Sequence, residues 1–309
     1  MDMNLITLMD EYGTDEACRA FLEDLRWPDG ELACPRCEGK TISRIVKRGQ
    51  FDCDSCRYQF SVTAGTVFHD SHLPLRKWLL ATYLMCESRK GISANQMKRT
   101  IKVSYKTAWY LCHRIRAAMA EDAPEPLSGT VEMDETFHGG KPRYVNPEKD
   151  LSGRSKRGPR ADNRKVVVLG ALQRGGEVRI RVAPDRTGAS IRTFAEDNLS
   201  PDTDHIYSDD WRAYRQLGDE NTNHDSVNHT NKEWVRGDVH TNGIESVWSL
   251  FKRSVVGSYH QLSEKHLDAY LDEFEWRFNN RENPYLFRDT LVKLLKAETL
   301  PYSELIAQA

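Results

Sequence analysis

Four of the seven cysteines stand in two close pairs, Cys34-x2-Cys37 and Cys53-x2-Cys56, with fifteen residues between the pairs. Each pair puts two thiolates on one side of a tight turn. Two such knuckles facing each other complete a closed tetrahedral S4 site of the kind Zn2+ takes. A redox dithiol would sit in a single C-x2-C beside a βαβ pattern, which is absent. Cys18, Cys86 and Cys112 stand alone, and an odd count is a poor disulfide framework for a chain of this size. The expectation is structural zinc on Cys34, Cys37, Cys53 and Cys56, with Gly39 and Gly49 turning a β-ribbon between them. With every position filled by protein, that ion is not a Lewis acid for chemistry.

Three acidic clusters offer hard oxygen ligands. In Thr130–Phe137 the alternation puts Val131 and Met133 on one face and Glu132 and Asp134 on the other. Asp134 reads either as a metal ligand at a strand end or as a solvated edge residue. In Ile206-Tyr207-Ser208-Asp209-Asp210-Trp211 a short strand runs into an Asp pair. Asp209 extends the strand, and Asp210 reads as the N-cap of a following helix. In His240-Thr241-Asn242-Gly243-Ile244-Glu245, Asn242 and Glu245 have capping-box spacing, so Glu245 has a purely structural reading. Lys252 lies seven residues further on, nearly two turns, and shares the face of Glu245. A carboxylate and a lysine on one face suit phosphodiester chemistry or form a surface pair.

The elements that must carry these groups fall into several regions. Residues 1–30 read as an acidic helical leader and 31–62 as the cysteine ribbon. Helical patterns over Leu75–Arg89, Ser93–Ile101 and Ser104–Ala120 make 74–121 a helix-turn-helix candidate, with Ser93 and Ser104 as N-caps. On the last helix Ala108, Leu111, Ile115 and Ala118 share the apolar face. Tyr105, Lys106, Thr107, Tyr110, His113 and Arg114 face the other way, suited to a major groove. Residues 1–33 carry nine acidic and two basic side chains, and residues 34–120 sixteen basic and five acidic, although the whole chain nets −2. That asymmetry marks a nucleic-acid-facing module, and a fragment ending near Glu121 is expected to bind DNA alone. After a linker at Ala123–Pro126, strands at Thr130–Phe137, Lys165–Leu172, Glu177–Val182 and His205–Ser208 alternate with helices at Thr187–Asn198, from Asn242, and at Ser263–Arg281, an α/β pattern. The 139–164 connection is strongly basic, with Arg154, Lys156, Arg157 and Arg160 among its cations, and offers a further contact for a polyanion.

An Asp on a strand, an Asp at a strand end and a helical Glu, the last two separated by thirty-five residues, resemble the DDE transposases and retroviral-type integrases of the RNase H-like fold. Val131-Glu132-Met133-Asp134-Glu135-Thr136-Phe137-His138-Gly139-Gly140, Ser208-Asp209-Asp210-Trp211-Arg212-Ala213-Tyr214, the His240–Arg253 helix, Gly257-Ser258-Tyr259-His260 and Lys265-His266-Leu267 resemble one group, the zinc-ribbon insertion-sequence transposases called IS1595 or ISXO2-like. The resemblance spans roughly residues 30–285. It implies an RNase H-like catalytic domain over 127–285, preceded by the zinc ribbon and helix-turn-helix, with 286–309 a helical tail. It also implies the catalytic set Asp134, Asp209, Glu245 and Lys252. Asn242 stays a candidate accessory ligand, and His138 stands where a bulky apolar or aromatic residue is expected.

On this reading the three acids hold Mg2+ or Mn2+, two ions about 4 Å apart, which activate water against the element's end and then the freed 3′-OH against target DNA. The expected partner is double-stranded DNA, contacted by Tyr105, Lys106, Tyr110, Arg114 and the basic connection, with the protein a homo-oligomer in the complex. No Walker-type motif suggests a nucleotide cofactor, and no apolar run approaches the ~20 residues that span a bilayer, so a cytoplasmic, nucleoid-associated protein is expected. Two other classes remain: a zinc-ribbon regulator with an inactive RNase H-like domain, and a nuclease of the same fold that cuts without joining.

Overall fold

A computed structural model describes residues 3–121, 123–139, 165–218 and 222–307. The basic connection carrying Arg154, Lys156, Arg157 and Arg160 lies outside the described residues. The chain divides into two compact units. One holds Met1–Ala123, Arg253–His260 and Asp272–Ala309, and the other holds Pro124–Lys252 and Gln261–Leu271.

The first unit begins with α1 (Leu5–Glu11) and α2 (Asp15–Arg26). Asn4 and Thr14 cap them through side-chain oxygens that accept from the first-turn N–H groups. Leu8, Cys18 and Leu22 of these helices are buried in the unit's main core. The ribbon follows as β1 (Ile42–Ile45), β2 (Gln50–Cys53) and β3 (Gln59–Phe60), an antiparallel sheet in that order. Gly49, at φ 57°, makes the left-handed turn between β1 and β2. Phe51 and Phe60 pack beneath the cysteines with Trp27 alongside.

Three helices come next, α3 (Leu75–Glu87), α4 (Ala94–Ile101) and α5 (Tyr105–Met119). The expected caps are present: Ser93 Oγ accepts from Gln96 N at 3.2 Å and Ser104 Oγ from Thr107 N at 3.0 Å. The expected apolar face of α5 is fully buried.

The C-terminal region alters the expected boundaries. The second half of α8 (Leu267–Asn279), α9 (Leu286–Lys296) and α10 (Tyr302–Ala307) belong to the first unit, not to a catalytic domain ending at 285. Phe287, Leu291, Leu294 and Leu295 lie in the same core as α3 and α5. A piece ending at Glu121 therefore lacks part of its own core, against the expectation that it stands alone. Glu273 of α8 is fully buried between Arg277 and Arg116 of α5, and Tyr259 donates to it. Burial opposes its charge, but the two guanidinium groups outweigh that and hold it below the usual carboxylate range.

The second unit is built on five strands: β4 (Leu127–His138), β5 (Val166–Gln173), β6 (Val178–Ala183), β7 (Leu199–Asp209) and β8 (Asn223–Val227). Their order is β6-β5-β4-β7-β8. The three strands β6, β5 and β4 are antiparallel to their neighbours, and β7 and β8 then add in parallel. Three antiparallel strands, a crossover through α6 (Gly188–Asn198), and two parallel strands make the RNase H-like sheet. β4 and β7 are both longer than their alternation indicates, so Asp134 lies inside a strand rather than at its end.

Each sheet face has its own cover. Val131, Met133, Leu169, Ala171 and Ile206 point to α6, packing on Ile191, Phe194 and Ala195. The residues between them face α7 (Asn242–Ser254). Gly170 marks the close approach, since a Cβ there would sit 2.5 Å from the Trp248 ring and 3.2 Å from Ile244.

Candidate active site

Alternation and register bring the acids together. In the parallel β4–β7 pair, Glu132 is level with Tyr207. Asp134 and Asp209 each lie two residues further on, so they stand side by side on the face covered by α7. Glu245 enters from the first turn of α7. Burial raises the Asp134 carboxyl, and Glu135, Asp209 and Glu245 add to this until it reaches about 8. Burial also raises Asp209, which accepts from Trp211 N at 3.1 Å and is steadied by His229. Burial raises Glu135 as well, although the Tyr214 hydroxyl donates to it at 2.7 Å. Asp134 and Asp209, both raised chiefly by burial, together with Glu245 form a donor set that fits a hard divalent cation. Among the described residues these carboxylates do not gather into a single shell: only the four cysteines bring three or more ligand atoms within 4.8 Å of one another.

The capping account of Glu245 fails for a reason that only the fold reveals. The start of α7 is capped by Glu132. Its Oε2 accepts from Gly243 N at 2.7 Å and Ile244 N at 3.0 Å. Its Oε1 accepts from Arg174 Nε at 2.9 Å and faces His240 Nδ1 at 3.2 Å. Glu132 is 1% exposed, and a Cβ on Gly243 would lie 2.8 Å from its Oε2. Relieved of that task, the Glu245 side chain stays about half exposed. It accepts from Thr241 Oγ1 at 3.0 Å and lies 3.7 Å from His229 Nε2.

Sequence reasoning missed both Glu132 and His229 as site residues. The alternation puts Glu132 on the face of Asp134, but nothing local reveals a partner 111 residues away. Asp210 is not a helix cap: it accepts from Arg215 at 3.2 Å and from Asn228 at 2.9 Å, and only a single 3-10 turn follows. Asn242 is the exposed first residue of α7. Lys252 is exposed seven residues beyond Glu245, roughly 10 Å along the axis. His138 Nε2 lies 3.0 Å from Leu262 O and ties the end of β4 to the segment before α8.

The two cysteine knuckles are the same turn built twice. Glu38 N donates to Cys34 O and Arg57 N to Cys53 O, both at 2.8 Å, and Glu38 and Arg57 both adopt left-handed φ, 59° and 56°. Cys34 and Cys56 Sγ lie 3.7 Å apart and Cys37 and Cys53 Sγ 3.6 Å apart. A tetrahedron with metal–sulfur bonds of about 2.3 Å has edges of ~3.8 Å. Backbone N–H groups of Cys56 and Ser55 bring the Cys53 thiol down to about 7. Cys18, Cys86 and Cys112 are buried elsewhere, where burial pushes their thiols up.

The expected DNA-facing side of α5 is only partly free. Tyr105, Lys106 and Thr107 are exposed. Tyr110 donates its hydroxyl to Leu300 O at 2.5 Å, and Tyr302 packs on the Tyr110 ring. Lys106 Nζ sits 4.3 Å over the Tyr302 ring. Arg114 is 5% exposed, donates to His69 O at 2.6 Å and stacks on Trp78, and His113 is buried. Tyr110 and Arg114 are therefore not presented as a groove-reading face, because the C-terminal segment covers the first and α3 the second.

Residues 126–279 match the ISXO2-like transposase domain, and residues 13–59 match the transposase zinc-ribbon domain. A protein of the transposable element ISH50 of Halobacterium salinarum is 33% identical over 268 residues, covering 83% of this chain and 88% of that one. The chain belongs to the ISXO2-like transposase family. A transposase-like protein of Haemophilus influenzae is 30% identical to this family member over 101 residues, 33% of this chain and 80% of its own. The Mos1 strand transfer complex aligns at 13% identity over 71% of this chain and 75% of that one, with a TM-score of 0.29. No described helix is long and apolar enough to cross a membrane.

Proposed function

We propose that this family member cuts DNA at the ends of its element and joins the freed 3′-OH ends to target DNA. The observation that supports the reading is the convergence of Asp134, Asp209 and Glu245 from β4, β7 and α7, with Asp134 lifted to about 8 by burial and its acidic neighbours. Mg2+ or Mn2+ held by these three acids would activate the attacking oxygen and stabilise the leaving one in an in-line displacement. Asp134 and Asp209 are fixed by the sheet, while Glu245 is aimed by its helix start. His229 holds Glu245 beside Asp209. Lys252, further along α7, contacts DNA phosphate. Zn2+ in the cysteine cluster holds the ribbon folded and takes no part in the chemistry.

The test uses a labelled duplex of the element's end, read from the inverted repeats flanking the gene, in Mg2+. Asp134→Asn, Asp209→Asn and Glu245→Gln should each abolish cutting and leave binding intact. Lys252→Ala and Asp210→Asn should be milder. A wild-type protein that binds the end without cutting it is a regulator. One that cuts without producing joined target DNA is a nuclease.

A further inference from the structure

At the end of the sheet where the acids stand, three side chains from different segments meet. Phe137 is three residues beyond Asp134 on β4, and Trp211 is two beyond Asp209. Arg186 precedes α6. The Arg186 guanidinium carbon lies 4.8 Å from the Trp211 ring centroid and 5.6 Å from that of Phe137. Both distances are within the range of cation–π attraction. Arg186 and Arg212 are exposed, and among the described residues the Arg186 guanidinium has no hydrogen-bonded partner. Phe137 is 41% exposed. The cleft beside them, lined by Arg186, Trp211, Arg212 and Gln216, has a volume of about 580 Å³.

The start of α6 is already occupied by protein. Thr187 Oγ1 accepts from Ser190 N, and Asp185 accepts from Thr187 N and Ser190 Oγ. The binding character of the cleft therefore comes from its arginines and rings. Asp185 and Glu135 stand close to Arg186, so two acids offset the two arginines, which disfavours a site for phosphate alone. Exposed aromatic surface beside a guanidinium suits a nucleobase, whose face stacks regardless of sequence, with a neighbouring phosphate at Arg212. A paired base hides that face within the duplex, so the occupant is an unpaired one. Phe137 lies about 10 Å along the strand from Asp134 and, three residues on, on the face of Val131 and Met133, so the cleft stands around the end of the sheet from the acids, within about three nucleotide steps of them.

We propose that Phe137, Arg186, Trp211 and Arg212 form a single-strand DNA subsite at the end of the sheet that holds an unpaired base a few nucleotides from the phosphate being cut. This deepens the transposase reading and rests on it. The test uses the full chain without divalent metal ion and two duplexes of arbitrary sequence. One is blunt, and the other has a two-nucleotide fork carrying 2-aminopurine.

Wild type should bind the fork more tightly than the blunt duplex by at least about fivefold, the lower end for one stacked base, and should quench the probe. Phe137→Ala combined with Arg186→Ala should bring the two affinities within twofold and restore fluorescence. Phe137→Leu, which keeps most of the volume in the strand, should do the same in part with unchanged melting. Equal binding of fork and blunt duplex by wild type, or a preference that survives in the double variant, overturns the proposal. Fork preference in a protein that never cuts an element end in Mg2+ supports the subsite and removes the transposase reading. No binding to either duplex at low salt removes both.

Discussion

Replacing Glu132 by Gln isolates what aims Glu245. The carboxylate is 1% exposed and accepts three hydrogen bonds, with His240 Nδ1 3.2 Å away. Glutamine keeps the size and one acceptor oxygen. If that oxygen stays on Gly243 N and Ile244 N, its NH2 group confronts Arg174 and His240. The change then removes one charge-assisted hydrogen bond, from Arg174, about 1.5–3 kcal/mol, and the ion contact with His240. Arg174 and His240 are 27% and 28% exposed, so water recovers part of the loss, leaving roughly 1–2 kcal/mol. If the amide turns over, the two α7 N–H groups lose their cap, at about 1 kcal/mol, with further loss from the donors brought face to face.

Both outcomes loosen the first turn of α7, where an error near 1 Å in Glu245 can cost on the order of 100-fold in rate. Hydrogen exchange at the Gly243 and Ile244 amides reads the local change, chemical denaturation reads the global one, and single-turnover cutting reads the rate. Metal-free binding of end DNA should be unchanged. If those two amides stay as protected as in wild type and denaturation shifts by under about 0.5 kcal/mol, Glu132 does not hold the helix.

Asp134 gives a pH dependence of defined sign. With its folded value near 8 against a reference of 3.8, the folded protein holds a proton that the unfolded chain lacks across that window. Metal-free stability should therefore fall as pH rises from about 4 to 8. In thermal melts Asp134→Asn should flatten that fall, and Mg2+ should stabilise wild type more at pH 8 than at pH 6. For the cysteine cluster, metal analysis of protein purified under reducing conditions should find one tightly held zinc. Cys37→Ser should lower retention and Cys86→Ala should not. A fragment ending at Glu121 should fail to fold, since it loses Phe287, Leu291, Leu294 and Leu295, worth roughly 1.5–3 kcal/mol each. Adding a peptide of residues 272–309 should restore its circular dichroism.

The sequence by itself determined whatever depends on short spacing. The two C-x2-C pairs define both knuckles, because each turn closes within five residues. Ser93 and Ser104 cap α4 and α5, because a cap bonds to its own helix. The alternation in β4 puts Asp134 opposite Val131 and Met133, because side chains in a strand reverse at every step. Tertiary structure alone decided which polar group does which task. Glu245 has capping-box spacing and Glu132 lies on a distant strand, and only the packing of α7 on the sheet gives the cap to the buried Glu132 and releases Glu245. Tyr110 and Arg114 share a helix face with Lys106, yet α3 and the C-terminal helices cover the first two. Such outcomes turn on which surfaces meet across a hundred or more residues, and no local period encodes that.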